Sequence, residues 1–87
     1  MHEASLMRDL MRRIDSVVAR EGAARVTSVR VRLGALSHFS ADHFAEHFVA
    51  AAAGGPAADA RLSVTASGDI SDPSAGDVVL ESIDVAD

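Results

Sequence analysis

Eighty-seven residues, with three phenylalanines and no other Phe, Tyr or Trp, no cysteine, no lysine and a net charge of −5, describe one small domain. Lacking cysteine, it can form neither a disulfide nor a thiolate zinc knot, and alanine, which buries little area, supplies much of its 48% apolar content, so modest stability is expected. Residues 1–34 carry seven arginines against four acids and residues 35–87 one arginine against nine, a balance that makes nucleic acid an improbable partner because phosphate neutralisation needs a concentrated basic face.

The first 20 residues read as an amphipathic helix over Ala4–Arg20, with Leu6, Leu10, Met11, Ile14, Val17 and Val18 on one stripe. Gly22 ends it. Arg8, Asp9, Arg12, Arg13, Asp15 and Arg20 form the opposite, solvated and charge-paired face. Met1–Asp9 holds two acids where a signal peptide would need a basic start, and the longest apolar run, Val49–Ala53, is far short of a membrane span. A cytoplasmic protein without membrane contact, monomeric or weakly self-associating, is expected.

Val26–Leu33 alternates with the period of a half-buried strand, Val29, Val31 and Leu33 on one face and Ser28, Arg30 and Arg32 on the other. Gly34 breaks it. Ser40 is placed to cap a second helix, Asp42 suits its positive end, and Phe39 and Phe44 stand at the two positions of a hydrophobic staple. Phe44, Phe48, Ala51 and Ala52 form the expected buried face, and Gly54-Gly55-Pro56 stops the helix. Leu62, Val64 and Ala66 alternate in a second strand, and Val78–Val85 gives a third. In that last strand the apolar phase slips between Leu80 and Ile83, so either both faces are covered or a bulge lies near Glu81-Ser82. Ser67–Gly76, rich in Ser, Asp, Gly and Pro, is a loop. The order α-β-α-β-β predicts a two-layer α+β domain, two helices on one face of a three-stranded sheet, spanning residues 1–87.

No nucleophile elbow, phosphate loop, dinucleotide fingerprint or helical carboxylate pair occurs, and no Tyr, Trp, Cys or Lys is present for acid–base or covalent work, which argues against an enzyme. Four histidines remain: His2, His38, His43 and His47. With the Met1 amine, His2 offers an imidazole beside backbone amides that deprotonate at Met-His-Glu, a planar nitrogen set favoured by divalent nickel or copper. A bulky second residue also predicts retention of Met1. Glu3 follows as an axial or outer carboxylate. A second-position histidine also occurs with no metal role, and on that residue alone this is the plainer reading. His43 and His47, four apart, share a helix face and could chelate a transition metal, but with no third ligand visible a solvated polar face opposite Phe44 and Phe48 is the simpler account. His38, before the cap, could approach a metal held by the N-terminus or be an ordinary loop residue.

Met1-His2-Glu3-Ala4-Ser5-Leu6, then Val29–Val31 leading into Leu33-Gly34-Ala35-Leu36-Ser37, Ala51–Ala60 with its Gly-Pro-Ala, and the closing Gly76–Val85 together resemble the HypA/HybF family of nickel metallochaperones. The resemblance runs over the whole chain. It implies a nickel-binding accessory protein of [NiFe]-hydrogenase maturation, with urease as a client in some organisms, and no enzyme activity. It assigns Ni(II) to Met1, His2 and Glu3, and implies the GTPase HypB and the hydrogenase large subunit as partners. Two departures stand out. The acid that family members carry at the start of the second helix corresponds to Ser40, with Asp42 nearby. The family's zinc module of two Cys-x-x-Cys pairs would fall where this chain has only Ser67–Gly76, so no zinc is expected and the domain looks like the nickel-binding part resealed by a short loop. Such a domain would deliver nickel constitutively or act beside a full-length relative. An alternative is a metal-free docking domain for a maturation factor or hydrogenase subunit, using Arg25, Arg30 and Arg32 around the first strand. A third is a replacement metal site formed by His38, His43 and His47.

Overall fold

Val29, Val31 and Leu33 alternate because they belong to the middle strand of a sheet with one face covered. In the computed structural model, which describes residues 2–87 and the side chains from Glu3 onward, these three are at most 1% exposed. They lie on β1 (Arg25–Leu33), which runs between two partners in the order β2-β1-β3. β2 (Arg61–Ala66) pairs parallel to β1, from Ser28 opposite Arg61 to Leu33 opposite Ala66. A parallel neighbour needs a crossover, and the helix α2 (Ala41–Ala52) supplies it. β3 (Val78–Ala86) returns antiparallel on the other side. With α1 (His2–Glu21) this is the expected α-β-α-β-β order, and both helices contribute to one core with the sheet.

Each helix ends as its sequence dictates. Gly22 adopts φ 65°, and the Gly22 and Ala23 amides donate to the Ala19 and Val18 carbonyls, a Schellman closure of α1. At the start of α2 the Ser40 hydroxyl accepts from the His43 amide at 3.1 Å, while the rings of Phe39 and Phe44 meet edge to face at 6.0 Å. The staple therefore forms. On α1 the fully buried stripe is Met7, Leu10 and Ile14, with Leu6, Met11 and Val18 packed at its margin. Met7 was absent from the expected stripe, and Val17 is only half-buried. On α2 the buried residues are Phe44, Phe48 and Ala52; Ala51, expected inside, is exposed because it lies a further 100° round the helix from Ala52. Ala66 likewise lies exposed at the end of β2, past the cover of the helices.

Two bulges keep the sheet in phase. In β1, Val26 pairs with Val85 and Ser28 with Asp84, so Thr27 is the extra residue and Val26 and Val29 are both buried. In β3, Ser82 pairs with Arg30 and Leu80 with Val31, which makes Glu81 the extra residue. The slip between Leu80 and Ile83 is thus a bulge, and both side chains pack against the core. Glu81 points outward to Arg32 at 3.9 Å, a long contact between side chains each about one-third exposed and of little energetic weight.

The segment between β2 and β3 folds through local side-chain turns. Asp69 and Asp72 carboxylates accept from the Ser71 and Ser74 amides, and the Ser67 hydroxyl from the Asp69 amide. The segment docks on the end of β1, where Gly34 donates to the Asp77 carbonyl at 2.8 Å and Leu36 to that of Ala75 at 2.7 Å. A Cβ at Gly34 would fall inside the Ala75 backbone, so glycine is needed there for close approach. Gly34→Ala is expected to cost about 1–3 kcal/mol, the usual range for overpacking, and to lower the urea midpoint; a parent-like midpoint would show that the segment gives way freely. Deleting Glu81 removes the extra residue and leaves Leu80, Ser82 and Ile83 in regular alternation opposite Val31, Arg30 and Val29, so the strand keeps its register without a bulge. Its expected cost is small, within about 0.5 kcal/mol as for other changes at exposed positions. Glu81→Ala, which keeps the residue count, should also leave thermal unfolding nearly unchanged, and a large drop in the melting temperature of the deletion would refute this account of the bulge.

Candidate metal site

Glu3 occupies the first turn of α1 on the same stripe as Met7, Leu10 and Ile14, four, seven and eleven residues before them. That stripe faces the core, so the Glu3 carboxylate is carried toward α2 and not into open solvent. On α2, His43 and His47 each precede a buried phenylalanine by one position, Phe44 and Phe48. They therefore line the flank of the α1–α2 contact.

The consequence is a convergence that neither helix would produce alone. The Glu3 Oε2 atom lies 2.9 Å from Nε2 of His43 and 3.5 Å from Nε2 of His47. The two imidazoles stack with centroids 4.6 Å apart and planes 2° from parallel. One ligating atom from each of the three residues lies within 4.8 Å of the others. Glu3 is one-third exposed and the histidines about half, so the cluster is rimmed by the helices but open to an entering ion.

The other candidates fall elsewhere. Met1 and the side chain of His2 lie outside the described residues. The backbone of His2 begins α1. The amides of a helix's first turn have no intrahelical acceptor, which leaves those of His2 and Glu3 uncommitted within the helix. His38 stands in the left-handed region at φ 66° between β1 and α2, and among the described residues it does not join the Glu3–His43–His47 group. Of the proposed His38, His43 and His47 set, the structure brings His43 and His47 together, and the third residue beside them is Glu3. Ser40 is engaged as the α2 cap, and Asp42 is exposed in the first turn. Pairing of His43 and His47 with Glu3 was missed because they follow it by 40 and 44 positions in the chain. The one available signal was the four- and seven-residue spacing from Glu3 to Met7 and Leu10, which puts the acid on the packing stripe.

Comparison with known proteins gives this geometry a context. Residues 1–69 match the family model for HypA, described as hydrogenase/urease nickel incorporation, metallochaperone. The hydrogenase maturation factor HypA of Deinococcus radiodurans is 41% identical over 64 residues, which cover 74% of this chain and 53% of that protein. The chain thus spans about half the length of that curated relative. The solution structure of the Ni metallochaperone HypA from Helicobacter pylori shares the fold, with a TM-score of 0.80 at 16% identity over 99% of this chain and 98% of that one. With four-fifths of its length on the family pattern, beginning at Met1, this chain belongs to the HypA family of hydrogenase/urease nickel-incorporation metallochaperones.

Proposed function

We propose that the chain is a nickel carrier that takes Ni(II) as cargo at its N-terminus, through the Met1 amine, the His2 imidazole and the backbone nitrogens of His2 and Glu3. It contributes to the maturation of a nickel enzyme, a [NiFe]-hydrogenase in the first place, and acts as an accessory and not as an enzyme. The observation that carries this reading is the family match, which starts at residue 1 and includes Met1-His2-Glu3 intact. The chemistry supports it. An amine, an imidazole and amide nitrogens form a strong-field planar set suited to divalent nickel, and the amides required are those a helix start leaves without an acceptor.

By the same reading residues 1–87 are a single nickel-binding domain, with the turn-rich segment Ser67–Gly76 in place of a zinc module, and no zinc is taken up. The hand-over partners are the maturation GTPase HypB and the hydrogenase large subunit, reached in the cytoplasm. Among the described residues no helix is long and apolar enough to cross a membrane.

Nickel binding at such a set expels protons from the amine, imidazole and amides, so affinity falls as the medium is acidified. For untagged protein, calorimetry is expected to show a loss of nickel affinity well beyond tenfold in His2→Ala, since even outer groups that merely orient a ligand are worth about 10–100-fold. Acetylating the Met1 amine should do the same, and both changes should abolish the yellow absorption of square-planar nickel. Parent-like affinity in His2→Ala would refute the N-terminal assignment.

A further inference from the structure

We propose that Glu3, His43 and His47 form a second divalent-metal site, separate from the N-terminal nitrogen set and built from side chains alone. Ions bound by imidazole nitrogen and carboxylate oxygen sit about 2.0–2.2 Å from each, which places ligands of one ion no more than about 4.4 Å apart. The three groups already lie within 4.8 Å of one another, with two of the three separations at 2.9 and 3.5 Å. Small side-chain rotations suffice to close them on an ion.

Convergence is what sets this cluster apart from an ordinary ion pair. A single imidazolium beside Glu3 would complete a pair, and such a pair, half in solvent, contributes little to stability. A second imidazole aimed through the same nitrogen at the same carboxylate oxygen, and stacked at 4.6 Å on the first, adds nothing to that pair. For a cation the arrangement is economical: the i,i+4 spacing on α2 fixes two nitrogens, and the packing of α1 supplies the oxygen. Two histidines and one carboxylate grouped on one side of an ion leave its remaining positions to water. The occupant is accordingly a borderline divalent ion such as Ni(II), Co(II) or Zn(II), bound with open and exchangeable positions.

Nothing in this site requires the Met1 amine or the His2 imidazole, and Glu3 enters through its carboxylate whereas the N-terminal set uses its backbone nitrogen. The two readings are therefore separable by experiment. Untagged protein is dialysed against Ni(II), bound nickel per chain is counted, and visible absorption is recorded for the parent, His43→Ala/His47→Ala, Glu3→Gln and His2→Ala. The site predicts two ions in the parent. The double histidine variant should keep the yellow planar band and bind one ion fewer. Glu3→Gln, close in shape and unchanged in backbone, should also keep the band and weaken the second ion about tenfold or more. His2→Ala should lose the band yet retain the second ion. An unchanged nickel count and affinity in both the double variant and Glu3→Gln would overturn the site, as would loss of the planar band in the double variant with its helical circular dichroism intact, because one composite site would then explain all the nickel. Absence of the planar band from the parent, with the second ion still lost in the double variant, would refute the N-terminal reading and leave this site standing.

Discussion

Burial of Val29, Val31 and Leu33 beneath Phe44, Phe48 and the Met7–Leu10–Ile14 stripe is the constraint on which the other features rest. The chain has few large apolar side chains, and each fully buried one contributes about 1.5–3 kcal/mol while an alanine contributes far less. With so small a set of large contacts, displacing either helix leaves apolar surface that no other residue can cover. The helices are consequently held in one relation to the strand. That relation brings the start of α1 to the flank of α2, so the proximity of Glu3 to His43 and His47 follows from core packing and owes little to the weak pairing among those groups themselves.

The sheet is organised around the same strand. β1 carries a parallel neighbour reached through α2 and an antiparallel one reached through the turn-rich segment, and the two connections make different demands. The parallel side needs a helix to cross over, and the Pro56 carbonyl that accepts from the Val26 amide ties the end of that crossover to the base of β1. The antiparallel side needs only a short return, provided it can approach the end of β1 closely. Gly34 allows that approach, and the Asp69 and Asp72 turns satisfy backbone donors along the way. A segment of this kind joins β2 to β3 through its own turns and its backbone contacts with the end of β1.

Much of this was readable from local patterns. Element types and order, the Ser40 cap with its Phe39–Phe44 staple, the Gly22 terminus and the phase slip at Glu81-Ser82 each depend on residues within a few positions of one another, and those appear where expected. Strand order was not readable in the same way, because the choice of β1 as the central strand is a property of how three segments share one apolar cover. The errors are also physical. Leu6, Leu10, Met11, Ile14, Val17 and Val18 define a stripe wide enough to hide which residues form its centre, and Met7 proves more buried than Val17. Ala51 and Ala52 are alike in composition and differ only in the angle at which they leave α2. For the candidate site, the His43–His47 spacing was legible and its carboxylate partner was not, since Glu3 meets them only after α1 and α2 have packed.

The two proposed metal environments differ in the rate at which they would release an ion, and this bears on what a carrier has to do. A planar set of amine, imidazole and deprotonated amides holds nickel by strong-field nitrogen donors and must regain its protons before the ion leaves. Two imidazoles and a carboxylate hold the same ion with water in the remaining positions, so an incoming ligand can enter without first displacing a protein group. Acceptance from solvent is favoured by the second arrangement and retention by the first. Glu3 belongs to both through different atoms, its backbone nitrogen in one and its carboxylate in the other. One residue at the start of α1 thus stands at both, and because different atoms serve each, the two can be filled together.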